Sequence, residues 1–264
     1  MKLHSPQPLT RAIRLSSPSR PRAEGFTVYS LLWFVVCILF FPLQLDASPS
    51  VPEKLFYSVY WAGVKAGNAS LEINNNPEGT IITSRATSSD LISIFYRVDN
   101  IIQSTLYQNG YPKNYRKKLR EGRYRRDREV QFEDKTKGQR IIYHDRLNNE
   151  VEVFDLGKHI FDPLSGFYEI RKRQLEVGRS EYIDIFDKKP WNLEVQILKK
   201  EQVIVPAGSF NTILIKPLLQ SEGIFMRKGE IYIWLTDDER KIPVMLRSMV
   251  KIGSITAKLE KVEY

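Results

Sequence analysis

A mainly β fold, one large curved antiparallel sheet or incomplete barrel with a single packed α-helix, is predicted from three observations. Two-periodic apolar runs fill most of the chain beyond residue 47, clusters of turn-forming residues separate them, and only one substantial segment changes to three-and-four spacing. The first run, "KLFYSVYW", puts Leu55, Tyr57, Val59 and Trp61 on one face and Phe56, Ser58 and Tyr60 on the other. "AGVKAG" then reverses the chain into "NASLEIN", which predicts a hairpin. Similar runs follow: "TIITSRATSS", "RVDNIIQSTLYQ", "KNYRKKLR", "RYRRDREVQFED", "QRIIYHD", "EVEVFDL", "EYIDIFD", "WNLEVQILKK", "QVIVPAG", "FNTILIKPLL", "GEIYIWLTD", "IPVMLRSMVKIG" and "SITAKLEKVEY". The intervening "NNNPEG", "QNGYP", "DKTKG", "RLNN", "FDKKPW" and "TDDERKIP" supply the Asn, Asp, Gly and Pro that tight turns require. The exception is "FDPLSGFYEIRKRQLEVG". Asp162 stands at an N-cap, Pro163 at the first helical position, and Leu164, Phe167, Tyr168, Arg171 and Leu175 form a stripe ending at Gly178, which predicts an amphipathic helix of about three turns. A shorter helical turn is expected at "SSDLISIFYR". Both stripes read as core packing, the longer one against the concave face of the sheet.

Residues 1–47 form a separate leader, read as a signal peptide or an N-terminal membrane anchor, ahead of a single exported β-rich domain over 48–264. Lys2, Arg11, Arg14, Arg20 and Arg22 precede an apolar stretch whose centre, Leu31 to Phe41, is short for a spanning helix and suited to a signal peptide. Pro42 breaks it, and Ala47 offers a cleavage position. The rival reading keeps Phe26 to Leu45 as an uncleaved anchor with the basic leader inside. Both export the rest of the chain, with the periplasm as the expected compartment. Cys37 follows the bulky Val36, a poor context for a lipid-modified cysteine. It is the sole cysteine, so the exported part has neither disulfide nor thiolate metal site, and its stability must come from its core.

Several motifs in order, "LFYSVYWAGVKAGNASLEI", "LREGRYRRDREVQFED", "DPLSGFYEIR", "VIVPAGSFNTILIKP" and "GEIYIWLTDDERKIPVMLRSMVKIGSITAKL", resemble the bacterial exported family designated domain of unknown function 3108. The resemblance covers nearly all of the chain after the leader. It implies a secreted or envelope-bound incomplete barrel, similar in general shape to the lipoprotein carriers of the Gram-negative periplasm, and it brings no catalytic residue.

The formal charge of +9 on 264 residues is concentrated rather than spread. "KNYRKKLREGRYRRDR" holds nine basic and two acidic residues, and outside it and the leader the chain is nearly neutral. A nucleic-acid surface draws its charge from several elements, and free nucleic acid is not the anion an exported protein meets, so nucleic acid is not expected as a partner. Around Glu121 and Gly122 the run reads as a hairpin whose tip projects into solvent. On its first arm Tyr115, Lys117 and Leu119 alternate with Arg116, Lys118 and Arg120; on its second, Tyr124, Arg126, Arg128, Val130 and Phe132 oppose Arg123, Arg125, Asp127, Glu129 and Gln131. Arg116, Lys118, Arg120, Arg123, Arg125, Arg126 and Arg128 are therefore candidate contacts for anionic envelope lipid, lipopolysaccharide or lipoprotein. The plain alternative is a solvated edge whose charges block strand-to-strand aggregation.

Catalytic patterns are thin. Ser209 follows Gly208 without a G-x-S-x-G or a helix behind it. Asp237, Asp238 and Glu239 before Pro243 read as a turn rather than a calcium loop. His144 and His159 fit no ligand spacing, and no nucleotide, dinucleotide or metalloprotease motif is present, so no enzyme and no cofactor are expected. Two functions remain. An apolar or amphiphilic ligand, lipid or lipoprotein, could lie between sheet and helix, lined by Phe56, Tyr57, Tyr60, Trp61, Phe95, Tyr96, Phe167, Tyr168 and Trp234. Alternatively the chain is a structural or assembly factor with a filled core and an outward basic docking hairpin.

Overall fold

A computed structural model describes residues 53–77, 79–218, 230–249 and 253–264. The leader, with its cleavage position and Cys37, lies outside them. Fourteen strands form one sheet: β1 (Glu53–Trp61), β2 (Val64–Asn76), β3 (Gly79–Ser88), β4 (Asp99–Leu106), β5 (Pro112–Glu121), β6 (Tyr124–Asp134), β7 (Gln139–Asp145), β8 (Glu150–Leu156), β9 (Ser180–Phe186), β10 (Pro190–Val205), β11 (Gly208–Pro217), β12 (Ile231–Thr236), β13 (Pro243–Met249) and β14 (Ser254–Glu263). Two helices interrupt them, α1 (Asp90–Ser93) and α2 (Pro163–Lys172). None is long and apolar enough to cross a membrane among the described residues.

Every sheet neighbour is antiparallel, in the order β8-β7-β6-β5-β4-β3-β2-β1-β14-β13-β12-β11-β10-β9. The first and last strands among the described residues, β1 and β14, are thus paired in the middle of the sheet, Tyr57 opposite Leu259. Its open edges are β8 and β9. These come together without laddering: the Phe154 and Phe186 rings meet edge to face at 5.1 Å, and the strap after β8 makes one parallel bridge to β9, Phe161 to Ile185. The predicted incomplete barrel is observed, with a side-chain seam in place of the last ladder.

The helix α2 lies inside this curve. Leu164 packs with Tyr115, Val130 and Phe132 of β5 and β6; Tyr168 with Ile73, Ile82 and Leu106 of β2 to β4; Ile170 with Ile183, Ile215 and Leu235 of β9, β11 and β12. A sheet that reaches one helix from so many strands must wrap around it. Asp162 caps the helix as predicted, its carboxylate accepting from the Leu164 and Ser165 amides while Ser165 Oγ accepts from the Asp162 amide. The helix stops at Lys172, short of Gly178. Arg173 turns extended, and its guanidinium bonds Glu181 and the Tyr182 carbonyl on β9, so Leu175 reaches the core from non-helical chain. A second correction concerns α1, whose apolar stripe is not core: Leu91, Ile94 and Phe95 are 69%, 75% and 82% exposed. Four residues cannot present a stripe to a core and return to a strand, and the turn carries them outward.

Because all strand pairs are antiparallel and consecutive in each half, the turns sort into two ends. The β1–β2, β3–β4, β5–β6, β7–β8 and β9–β10 connections share one end, where the Ala62 amide donates to the Ser254 carbonyl. Glu53, Tyr264 and the α2 connection belong to the other. All of these pairings and core clusters fall within residues 53–264, so the compact unit Ala47–Tyr264 carries its own core.

Candidate functional site

The basic hairpin is β5–β6, with Arg120 opposite Arg125 and Glu121 opposite Tyr124. Its tip needs glycine: Gly122 has φ +56, and a Cβ there would stand 2.6 Å from the Tyr96 ring. The Gly122 amide also donates to the Arg97 carbonyl, so the tip is fastened to the turn after α1.

The seven candidate cations divide by strand alternation. Arg116, Lys118 and Arg120 point outward from β5, and Arg123 and Arg125 are exposed at and beside the tip. Arg116 is held by Asp127 at 3.2 Å. Arg125 donates to the Gly122 and Tyr124 carbonyls, which aligns its guanidinium along the turn. Among the described residues Lys118, Arg120, Arg123 and Arg125 have no salt-bridge partner. Arg120 and Arg125 stand directly opposite each other, a like-charge pairing that costs stability.

Arg126 and Arg128, expected as anion contacts, take the opposite face, inward from the tip. They share the inward register of Val130 and Phe132; Arg128 is 6% exposed. Both approach Asp145 Oδ2 at 3.9 Å, Arg126 also bonds the Tyr124 hydroxyl, and the Arg128 guanidinium stands 5.7 Å from the Tyr143 ring. Burial pushes the Tyr143 hydroxyl up to about 12, although Arg128 pulls the other way. Lys117 on the same face is tied to Asp187 at 3.0 Å. Asp145 and Asp187 stand among these three inner cations, which close the end of the core beneath the tip.

The nine aromatic residues do not converge. Tyr57 and Trp234 belong to one apolar cluster with Leu55, Val244 and Leu259, where the Tyr57 hydroxyl donates to the Pro243 carbonyl at 2.7 Å and the Trp234 indole to Glu201 at 2.8 Å. Tyr168 packs in a second cluster and Phe167 against a third. Phe56 and Tyr60 are half-buried on the other face of β1 from Tyr57, under Lys54 and Lys258 respectively. Trp61, Phe95 and Tyr96 are exposed at the turns.

Two polar contacts hold α2 within the sheet, and neither was foreseen. At its start, buried Asp162 accepts from Ser104 Oγ on β4 at 2.5 Å; burial raises its pKa, against the hydrogen bonds that lower it. At its end, Arg171 donates to both carboxylate oxygens of Glu53 on β1 at 2.9 and 3.0 Å, and to the Arg240 and Lys241 carbonyls. A bidentate pair with both side chains 1% exposed or less is a fixed joint.

Elsewhere, Ser209 is an exposed strand residue opposite Ile204. Asp238 accepts from Thr236, Arg240 and Lys241, so this acid serves its own turn. His144 faces outward opposite Glu129, whereas His159 lies beside Asp134 and the Tyr111 ring. Among the described residues no three metal-ligating side chains converge.

An incomplete β-barrel wound on its own helix, with a basic hairpin at one end, is the class that fold and site define. The chain belongs to the protein family of unknown function DUF3108, whose model matches residues 57–260. No curated protein matches it. A crystal structure of a β-barrel-like protein of the domain of unknown function DUF1849 from Brucella abortus is similar at TM-score 0.53 and 14% identity, covering 81% of this chain and 97% of that one. It shows the shared fold. Weaker likenesses, both 12% identical, are to a candidate exported protein with a YmcC-like fold from Bacteroides fragilis (TM-score 0.34, 81% and 97% covered) and a candidate lipoprotein from Parabacteroides distasonis (TM-score 0.35, 83% and 98% covered).

Proposed function

We propose that this is an exported, non-enzymatic assembly or docking factor of the cell envelope, with the periplasm as its compartment, whose interior is taken up by its own helix and whose partners meet the outside of the barrel. The basic hairpin is then the contact for anionic envelope material. The observation that carries this reading is the double fastening of α2, at Asp162–Ser104 and Arg171–Glu53. A lipid carried between sheet and helix would have to displace that helix, and parting a buried ion pair leaves charges whose desolvation costs several kcal/mol each. The dispersal of the nine aromatics over separate clusters and exposed turns supports the same reading. Export is supported by the basic and apolar leader. The test is to isolate the exported chain from its host and extract it with organic solvent for mass spectrometry. Less than a tenth of an equivalent of lipid is expected; one lipid or acylated peptide per chain would refute the filled interior and restore the carrier.

A further inference from the structure

We propose that the barrel end bearing the β1–β2, β3–β4 and β5–β6 turns docks on an anionic lipid bilayer. This rests on the reading of the outside of the barrel as its working face and names the partner of that face. The supporting feature is an arc of exposed apolar side chains that runs continuously into the basic hairpin. It begins with Trp61 and Val64, which face each other across the first hairpin. The Ser89 amide donates to the Ala66 carbonyl, bringing α1 alongside, with Leu91, Ile94 and Phe95 in solvent. Tyr96 then lies against Gly122, and beyond it stand Arg120, Arg123 and Arg125 without carboxylate partners among the described residues.

The two chemistries answer two parts of one target. Apolar side chains held out on short turns bury their surface at the boundary of headgroups and acyl chains, and tyrosine and tryptophan favour the headgroup level. Guanidinium groups beside them meet lipid phosphate bidentately. Across the turn segments 61–66, 89–99 and 120–125 five basic residues face three acids, so the arc is positive overall and selects an anionic surface. A soluble acidic protein would satisfy the arginines, yet it would leave the Leu91, Ile94 and Phe95 group unaccounted for. A membrane accounts for both.

The test uses the Ala47–Tyr264 unit in sedimentation with vesicles of phosphatidylcholine alone or mixed with phosphatidylglycerol. Binding to the mixed vesicles, weakened by salt, is expected. The pair Ile94→Ser and Phe95→Ser should weaken it on the order of tenfold or more. Arg120→Glu, Arg123→Glu and Arg125→Glu together should weaken it on the order of a hundredfold. Val151→Ser with Val153→Ser, an exposed apolar pair on the outer face of β8, should leave it unchanged. Because all these side chains are exposed, thermal unfolding close to wild type verifies the fold of each variant. Failure to bind the mixed vesicles, or binding indifferent to the arc variants, would overturn the docking surface. Lipid carried into the supernatant by the protein would instead overturn the filled-interior reading on which it rests.

Discussion

Removing Glu53 tests the joint between α2 and β1 most directly. Its carboxylate receives two hydrogen bonds from Arg171 and lies 3.9 Å from the partly exposed Arg240 guanidinium, so Glu53→Ala leaves the buried Arg171 cation without its carboxylate. Losing one partner of a buried pair costs about 3–5 kcal/mol. Arg171 keeps the Arg240 and Lys241 carbonyls at 3.1 and 3.0 Å, which places the expected loss at the lower end, about 3 kcal/mol. That is a large share of the stability of an ordinary domain. Urea unfolding followed by tryptophan fluorescence should show a lower midpoint at an unchanged slope. The double variant Glu53→Leu with Arg171→Met removes both charges and should recover most of the loss, a coupling of about 2 kcal/mol or more between contacting positions. A Glu53→Ala cost below about 1 kcal/mol, or a double variant as unstable as the sum of the singles, would refute a fixed joint.

Asp162 supplies a pH signature. Burial raises its carboxyl in the folded state, so the native protein holds that proton more tightly than the unfolded chain. Its contribution therefore declines as pH rises from about 4 through the raised value; Asp162→Asn keeps a capping oxygen but not this slope, and wild type should lose stability relative to it over that window in urea titrations. A relative gain with rising pH would reject burial as the dominant influence. Asp145→Asn should destabilise by about 1–3 kcal/mol, since buried Arg128 loses its nearest counter-charge at 3.9 Å. It should also lower the Tyr143 hydroxyl from about 12, read as an ultraviolet difference titration against Tyr143→Phe; an unchanged titration would contradict the assigned contacts. Gly122→Ala, strained at positive φ and pressed on the Tyr96 ring, should cost more than about 1 kcal/mol, and less when Tyr96→Ala is also present; equal costs would deny the contact.

Local patterning made most strands legible. "QRIIYHD" and "EVEVFDL" coincide end to end with β7 and β8 because each is a short alternating run between strong turn signals. Capping chemistry likewise located the start of α2. What could not be read was long-range. Nothing local in "KLFYSVYW" or "SITAKLEKVEY" says that these two strands pair, and that pairing decides where the barrel opens. The end of α2 was missed because Arg173 is drawn away by Glu181, a tertiary contact. The inward arginines did leave a trace: Arg128 shares a face with Val130 and Phe132, and a charge in an apolar register requires a buried partner. The same holds for Arg171 in its helical stripe and for Glu53, two residues before Leu55 on the inner face of β1. Each cation pointed to the existence of a carboxylate, while its identity depended on topology.

The central pairing of β1 with β14 also bears on how the molecule is made. A polypeptide delivered amino end first presents one flank of its opening strand roughly two hundred residues before the complementary flank arrives, and contacts so distant in sequence form slowly. The leading eight strands can zip locally as successive hairpins. The rest can do the same as it emerges, but the two halves join only once β14 has been delivered. Until then β1 is an unsatisfied ribbon border, open to wrong partners and to chaperones alike.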